Sequence, residues 1–379
     1  MKVFKKAVLP KDFLASGVSC GIKKSGKPDL ALLYSRVPAQ AAAAFTSNTI
    51  QAAPVQVCKL HLGKRKVFRA IVANSGNANC FTGPEGIQDA LQTAQVVSGE
   101  LGVDNKDIFV ASTGIIGKRL PLSKIVTGIP YAVRGLSRDG IHDAKKAIMT
   151  TDTFAKEIAV RFMHEGRPVT ICGIAKGAGM ISPTMATMLA FILTDAVITR
   201  RALSKALKAA VNESFNCITV DGCMSTNDTV IVMANGGAKT GLIDNASQGY
   251  GQFAQGLNTV CLELAKMIVR DGEGATKFIA ISVTEARSFA EARAAALSIA
   301  NSNLFKTAVY GETPNYGRIV AALGATGIAT AEKDVRVHVS SLHKRDISVH
   351  VSLNIGSSSA TVYTCDLTPE YIKINAEYS

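Results

Sequence analysis

The sequence predicts an α/β (α+β) fold in which helices cover sheets. Three observations predict it. Strand-like and helix-like segments alternate along all 379 residues. Apolar residues make up 47% and charged residues only 19%, which is ample material for a core. Neither a fixed short repeat nor a low-complexity linker breaks the alternation. Interleaved elements of both kinds need helices laid on sheets to bury their apolar faces. Strand order is not readable from the pattern.

Leu30 to Ser35, Pro54 to Cys58 and Phe68 to Val72 are short apolar runs that read as strands. Gln88 to Leu101 carries Ala90, Leu91, Ala94, Val97 and Leu101 at helical spacing and stops at Gly102, a helix-ending residue. Ile108 to Ala111, Thr170 to Ile174 and Met188 to Leu193 are further strands. Arg200 to Val211 reads as a helix with Leu203, Ala206, Leu207 and Ala210 on one face and Thr199 as its N-cap. Phe253 to Arg270 is a longer helix, and Phe289 to Asn301 an Ala-rich one. Ser288 with Glu291 three residues on forms a capping box for the latter. Phe278 to Thr284, Val335 to Val339 and Ile347 to Leu353 alternate like half-exposed strands. Asp139-Gly140 and Gly236 to Gly251 read as loops.

Composition excludes several classes. The longest apolar run, Met185 to Leu193, is far short of the about 20 residues that cross a bilayer. Met1 to Phe13 holds five charges and no apolar core, unlike a secretory signal, so a soluble cytoplasmic protein is expected. The eight cysteines and six histidines are scattered without C-x-x-C or H-x-x-x-H spacing, so no metal is expected. The net charge of +13 invites a nucleic-acid reading. Its one dense basic stretch, Lys64 to Arg69, reads instead as a turn entering a strand, and no aromatic-rich binding motif accompanies it. No nucleic-acid or membrane partner is expected.

Three stretches concentrate glycine and small polar residues. Asn74 to Asn79 follows a strand and reads as a tight turn. Ala111-Ser112-Thr113-Gly114 ends a strand with hydroxyls and amides, the groups an oxyanion needs and also those of an ordinary turn. In Lys176 to Leu189 the glycines match neither nucleotide-binding pattern. There Thr187 is the one hydroxyl inside an apolar run, and a buried hydroxyl needs a partner.

Together with Phe45-Thr46-Ser47-Asn48, Ala52 to Val55, Thr150 to Thr153, Ser225 to Thr229, Asp271 to Lys277, Pro314 to Arg318 and Ile374 to Ala376, these stretches resemble the ornithine acetyltransferase (glutamate N-acetyltransferase) family of the cyclic arginine pathway. The resemblance runs from Gly21 to the C-terminus, with the motifs in family order. It implies a layered α/β/β/α architecture and self-cleavage between Ala186 and Thr187. The products would be an α chain, 1–186, and a β chain, 187–379, expected to associate as α2β2. Thr187 would then be an N-terminal nucleophile whose own amine serves as its base. It would carry an acetyl group from N-acetyl-ornithine to glutamate by a ping-pong route. The resemblance assigns the oxyanion hole to Thr113 and Gly114 and substrate binding to Thr150, Lys176, Thr187, Glu273 and Asn375. A family contact at the terminal Ser or Thr would fall on Ser379. No cofactor is implied, apart from acetyl-CoA as a second acetyl donor in some members.

The sequence departs from the family pattern at Cys223 (usually Asp), Tyr316 (Trp), Thr184 (Asn) and Glu312-Thr313, and ends one residue early. An aminopeptidase or amidase of related fold, passing its acyl group to water, is the competing enzyme reading. A basic nucleic-acid-binding scaffold is the competing non-enzyme reading. Divided at the expected cut, residues 1–186 hold 25 basic and 12 acidic residues, and residues 187–379 hold 17 of each. The whole charge excess therefore belongs to the expected α chain.

Overall fold

A computed structural model describes residues 1–182 and 188–377. They form two compact units, each built from several stretches of chain.

The first unit comprises Met1–Gly177, 188–214 and Ser225–Leu264. Its strands are β1 (Lys2–Phe4), β2 (Phe13–Val18), β3 (Leu30–Phe45), β4 (Phe68–Asn77), β5 (Ile108–Ile115), β6 (Lys156–His164), β7 (Arg167–Lys176), β8 (Leu189–Thr194) and β9 (Thr229–Ala234). Its helices are α1 (Ala53–Lys64), α2 (Gly83–Leu101), α3 (Leu122–Arg134), α4 (Ile141–Ala147), α5 (Arg200–Glu213) and most of α6 (Gly249–Arg270). The strands run β1-β6-β7-β8-β9-β3-β4-β5, with β2 also paired to β3.

The 16-residue strand β3 serves two sheets. Leu30 to Tyr34 pairs with β2 and β4, whereas Gln40 to Phe45 pairs with β9. Between these stretches the register shifts. Pro38, which has no N–H to give a ladder, sits exposed in the interruption.

One core lies between the two sheets. Phe13, Leu33, Phe68, Ile71 and Phe109 come from one side and Cys172, Ile174, Phe191, Leu193 and Met233 from the other. The Phe68 and Phe109 rings stack at 4.1 Å. A second core covers the opposite face of the β2–β5 sheet, where Leu32, Val72 and Val110 meet Ala90, Ala94, Val97, Ile125 and Ile129 of α2 and α3. On the outer face of the other sheet, α6 packs so closely that a side chain on Gly173 would lie 2.6 Å from Val260 and 2.8 Å from Leu264. The first unit is thus layered α/β/β/α, as expected. Strand β8 is buried on both faces, which explains its apolar run from Leu189 to Leu193.

Most expected elements are present, with extended ends. Helix α2 stops at Gly102, whose φ of 65° is the left-handed conformation that glycine tolerates best. The Thr199 hydroxyl accepts from the Ala202 amide at 3.2 Å to start α5. The Gly236 to Gly251 stretch is irregular until α6 begins at Gly249.

Two expectations were wrong. Pro54 to Cys58 is not a strand but the start of α1. Five apolar residues cannot separate a strand from a buried helix. The helix wins because proline suits a first turn and the buried face continues to His61, whose Nδ1 lies 2.8 Å from the Ile108 carbonyl. Asn74 to Asn79 is not simply a tight turn. Strand β4 runs through it to Asn77, with a bulge at Gly76–Asn77.

The second unit comprises 178–182, Phe215–Met224 and 265–377 among the described residues. A four-stranded sheet holds β10 (Phe278–Ala286), β11 (Arg336–Val339), β12 (Asp346–Ser352) and β13 (Ser358–Cys365) in the order β11-β12-β10-β13. Strands β10 and β12 are parallel, and the other pairs antiparallel. Helix α7 (Phe289–Ala300) lays Ala292, Ala295, Ala296 and Ile299 against Ile279, Ile281, Val349 and Val362. The Ser288 hydroxyl caps it through the Glu291 amide. Helices α8 (Asn303–Tyr310), α9 (Tyr316–Gly324) and α10 (Pro369–Glu377) complete the unit.

Candidate active site

In the first unit, β4 and β5 run parallel and end together at a bulge where Gly76 pairs with Gly114 and Asn77 with Thr113. Gly114 has φ 132°, and a side chain there would lie 2.4 Å from the Gly76 carbonyl carbon and 2.6 Å from the Asn77 nitrogen. Only glycine permits this approach. The surrounding asparagines are spent on holding the turn. Asn74 donates to the Asn77 carbonyl at 2.9 Å and accepts from Ser112 at 2.6 Å. Asn77 donates to the carbonyls of Lys118 and Arg119 and accepts from the Asn79 amide. Asn227 donates to the carbonyls of Ala78 and Ser112 at 2.6 and 2.8 Å.

The buried Lys176, last residue of β7, places its Nζ 3.3 Å from the Thr113 hydroxyl. Behind it stands Asp152. Its Oδ1 accepts from Lys156 Nζ at 2.5 Å and from the Gly177 amide at 2.7 Å, and its Oδ2 accepts from the Thr150 amide at 2.9 Å. Neither Lys156 nor the Asp152 carboxylate has any side-chain exposure. Burial alone would raise the Asp152 carboxyl, but the Lys176 and Lys156 cations outweigh it and hold it well below the ordinary carboxylate range.

Lys23 faces the same charges. Burial lowers its ammonium pKa to about 8, Asp29 and Asp152 offset part of that fall, and repulsion from Lys176 adds to it. Its stem lies 3.3 Å from where a side chain on Gly76 would begin. The result is a cluster of three lysines around one carboxylate, beside a glycine turn whose neighbouring residue offers a hydroxyl. That arrangement suits an anionic group and the negative charge of a tetrahedral intermediate.

Asp228, also fully buried, lies just before β9. Its Oδ1 accepts from the Met188 amide at 3.0 Å. Its backbone carbonyl accepts from the Thr46 amide, and the Thr229 amide donates to the Met188 carbonyl.

The second unit holds the other expected site residues. The Asn375 side chain donates to Glu273 Oε2 at 2.9 Å, and the Glu273 amide donates to the Ala178 carbonyl at 2.9 Å. Any side chain on Gly179 would lie 2.3 Å from the Glu273 carboxylate, so this glycine makes room for it. Asp221 accepts from the amides of Met180 and Ile181 at 2.6 and 2.9 Å. Burial raises its carboxyl, the Cys223, Met180 and Ile181 amides oppose the rise, and the Glu273 charge adds to it. Of the departures from the family pattern, Cys223 is exposed and donates its amide to Asp221. Glu312 pairs with Lys277 at 2.6 Å.

Thr113, Gly114, Lys176 and the Thr150 backbone therefore cluster in one unit, and Glu273 pairs with Asn375 in the other. Ala186, Thr187, Ser379 and the departure at Thr184 lie outside the described residues. Asp152, Asp228 and Asn227 were not singled out from the sequence. Their motifs, Thr150 to Thr153 and Ser225 to Thr229, were visible, but burial is what distinguishes these side chains from ordinary loop residues.

A protein-family model described as the ArgJ family matches residues 14–343 and 338–379. The chain is 45% identical to the arginine biosynthesis bifunctional protein ArgJ of Caldanaerobacter subterraneus subsp. tengcongensis, over 98% of each chain. It is 46% identical to the protein of the same name from Geobacter sulfurreducens, covering 97% of this chain and 99% of that one. A crystal structure of ornithine acetyltransferase complexed with ornithine, from Mycobacterium tuberculosis, aligns at 38% identity and a TM-score of 0.45. The match covers 48% of this chain and 97% of that one.

Proposed function

The chain belongs to the ArgJ family, and from that premise we propose how its residues carry out the acetyl transfer of arginine biosynthesis. It is an acyltransferase of that pathway, of the ornithine acetyltransferase type. We read Thr187 as the nucleophile, freed as an N-terminal residue when the chain splits after Ala186. The Thr187 oxygen attacks the acetyl carbonyl of N-acetyl-ornithine, ornithine leaves with a proton, and the glutamate amine then takes the acetyl group from the threonine ester. The α-amino group of Thr187 receives the hydroxyl proton and returns it to the departing amine.

One observation carries most of this reading: a buried lysine meets a threonine hydroxyl beside a turn that only glycine can make. Lys176 and Thr113 stand 3.3 Å apart next to Gly114. A preorganised cation and oriented dipoles in a buried place stabilise an oxyanion far better than the same groups in water. Lys176 would also receive a substrate carboxylate. Glu273, held by Asn375, would receive the ornithine ammonium. Thr150, its amide fixed by Asp152, would contact substrate on the Lys176 side.

The expected fragments, 1–186 and 187–379, would remain together. Strand β7 pairs with β8 over six residue pairs, and β3 with β9 over six more, across the expected cut. That weave supports an α-plus-β-chain protomer, and we take α2β2 as the working assembly. No cofactor enters this scheme, since the substrate brings the acetyl group. Acetyl-CoA as a second donor is a separate activity. We place the enzyme in the cytoplasm; among the described residues no helix is long and apolar enough to cross a membrane.

The test is a denaturing gel of the purified protein with N-terminal sequencing, followed by incubation with acetyl-labelled N-acetyl-ornithine and glutamate. Two bands of about half size, one beginning at Thr187, and label in N-acetyl-glutamate are expected. A single full-length band from active protein refutes the cleavage, and label released as free acetate favours the amidase reading. Thr187→Ala should remove both splitting and transfer.

A further inference from the structure

Lys23 has no task in the acetyl-transfer scheme, yet the first unit holds it firmly at the glycine turn. Asp29, fully buried, accepts from the backbone amides of Cys20, Ile22 and Lys23 at 2.7, 2.7 and 3.0 Å. The Asp29 carbonyl in turn accepts from the Ser75 amide at 2.9 Å, which fastens this segment to β4. Ile22 and the Lys23 stem then lie over Gly76, where an added side chain would meet them at 3.0 and 3.3 Å. Gly76 is the residue that pairs with Gly114. Lys23 Nζ donates to the Pro28 carbonyl at 2.8 Å, and its remaining protons have no partner among the described residues.

Two cations therefore border one turn, Lys176 beside Thr113 and Lys23 over Gly76. The charges acting on Lys23 are Asp29, Asp152, Lys176 and Lys27, and those acting on Asp152 are Lys176 and Lys156. Four lysines thus face two aspartates, an excess of two positive charges. Both aspartates already spend their oxygens on the frame. The two substrates differ in what they bring to such a place. N-acetyl-ornithine has one carboxylate and a side-chain ammonium, whereas glutamate has two carboxylates. An excess of two positive charges fits the second molecule and repels the ammonium of the first.

We propose that Lys23 is a specificity-determining residue for glutamate: its ammonium receives one carboxylate of the acceptor while Lys176 receives the other. This rests on the acetyl-transfer reading given above. N-acetyl-ornithine brings a single carboxylate for Lys176, and its ammonium gains nothing from Lys23. The contact therefore acts after ornithine has left, when glutamate enters. Lys23 also sets a pH limit on that step. Burial lowers its ammonium to about 8, with Asp29 and Asp152 opposing the fall and Lys176 and Lys27 adding to it. Above that value the cation is lost, and the preference for glutamate with it.

Lys23→Gln keeps most of the stem and removes the charge, whereas Lys23→Arg keeps the charge throughout the range tested. Wild type and both variants are compared in acetyl transfer from pH 7 to 9, with glutamate and N-acetyl-ornithine varied in turn. Circular dichroism monitors the fold. At pH 7 Lys23→Gln should raise KM for glutamate about 10-fold or more, the value of one hydrogen bond between charged groups. Its kcat and its KM for N-acetyl-ornithine should each move less than threefold. The wild-type lead over Lys23→Gln in kcat/KM for glutamate should shrink from about 10-fold at pH 7 to about twofold at pH 9, and Lys23→Arg should keep that lead. A Lys23→Gln enzyme whose KM for glutamate stays within threefold of wild type overturns the proposal while leaving the acetyl-transfer reading intact. So does an equal rise for both substrates, or a chain that cannot fold, since Lys23 would then belong to the frame alone. A loss confined to kcat assigns Lys23 to positioning the glycine turn and overturns the proposal as well. A wild-type enzyme that releases free acetate and forms no N-acetyl-glutamate defeats the acetyl-transfer reading itself, and the proposal falls with it.

Discussion

Replacing Asp152 with asparagine probes the frame that holds the lysine cluster. The amide side chain has the same outline. With its oxygen in the place of Oδ1 it keeps the acceptor for Gly177 and faces Lys156, but its nitrogen then meets the Thr150 amide, donor to donor. A partly buried donor left unpaired costs about 1–3 kcal/mol. Lys156 has no exposure and its ion pair with Asp152 is broken, and breaking a buried pair from one side costs about 3–5 kcal/mol. The two losses share one side chain and are not additive, so a destabilisation of about 3–5 kcal/mol is expected. Urea unfolding should show it as a lowered midpoint, and hydrogen exchange should accelerate locally at Thr150 and Gly177. Wild type and variant should also diverge with pH. Because the folded carboxyl is held below its unfolded value, its contribution is complete above about pH 4 and is lost as pH falls towards the folded value. The variant lacks that acid limb. Adding Lys156→Met should recover part of the loss, since removing both partners of a buried pair is often nearly neutral. A loss below about 1 kcal/mol for Asp152→Asn, or an unchanged acid limb, refutes this account of the ion pair.

Two further outcomes follow from the same cluster. Gly114→Ala must displace backbone that would stand 2.4 Å from the new carbon, so kcat for acetyl transfer should fall by about 100-fold or more, the usual value of an oxyanion donor; activity within threefold of wild type would remove Gly114 from the oxyanion hole. Lys23, with a pKa of about 8, should be roughly one-quarter unprotonated at pH 7.5, against about 0.1% for an ordinary lysine. Brief acetylation followed by peptide mass spectrometry should find it modified well ahead of exposed lysines such as Lys64, and equal labelling would contradict the depressed value.

The sequence was most informative where one local signal decided the outcome. Gly102 ends α2, and Thr199 and Ser288 begin α5 and α7, because a cap is a contact between residues three or four apart. It failed at Pro54 to Cys58, where only the packing of α1 distinguishes helix from strand. The site was legible as motifs but not as geometry. Lys176 and Thr113 are 63 positions apart, and Glu273 and Asn375 are 102 apart, distances that no periodicity bridges. Asp152 and Asp228 were harder still. In sequence both are acids in small polar loops. Burial raises the carboxyl pKa of both, but two lysine cations outweigh it at Asp152, whereas at Asp228 burial prevails.

The ladders joining β7 to β8 and β3 to β9 bear on how long such a molecule lasts. In an uncut chain these strands find each other within one molecule. After a cut at residue 186 the same pairing would require two chains to meet, at a rate set by their concentration. Each fragment alone would expose unpaired strand edges and half a core, which favours aggregation. A processed enzyme of this kind could fold once with ease and refold poorly. Its persistence would then be governed by how slowly it opens, and less by its equilibrium stability.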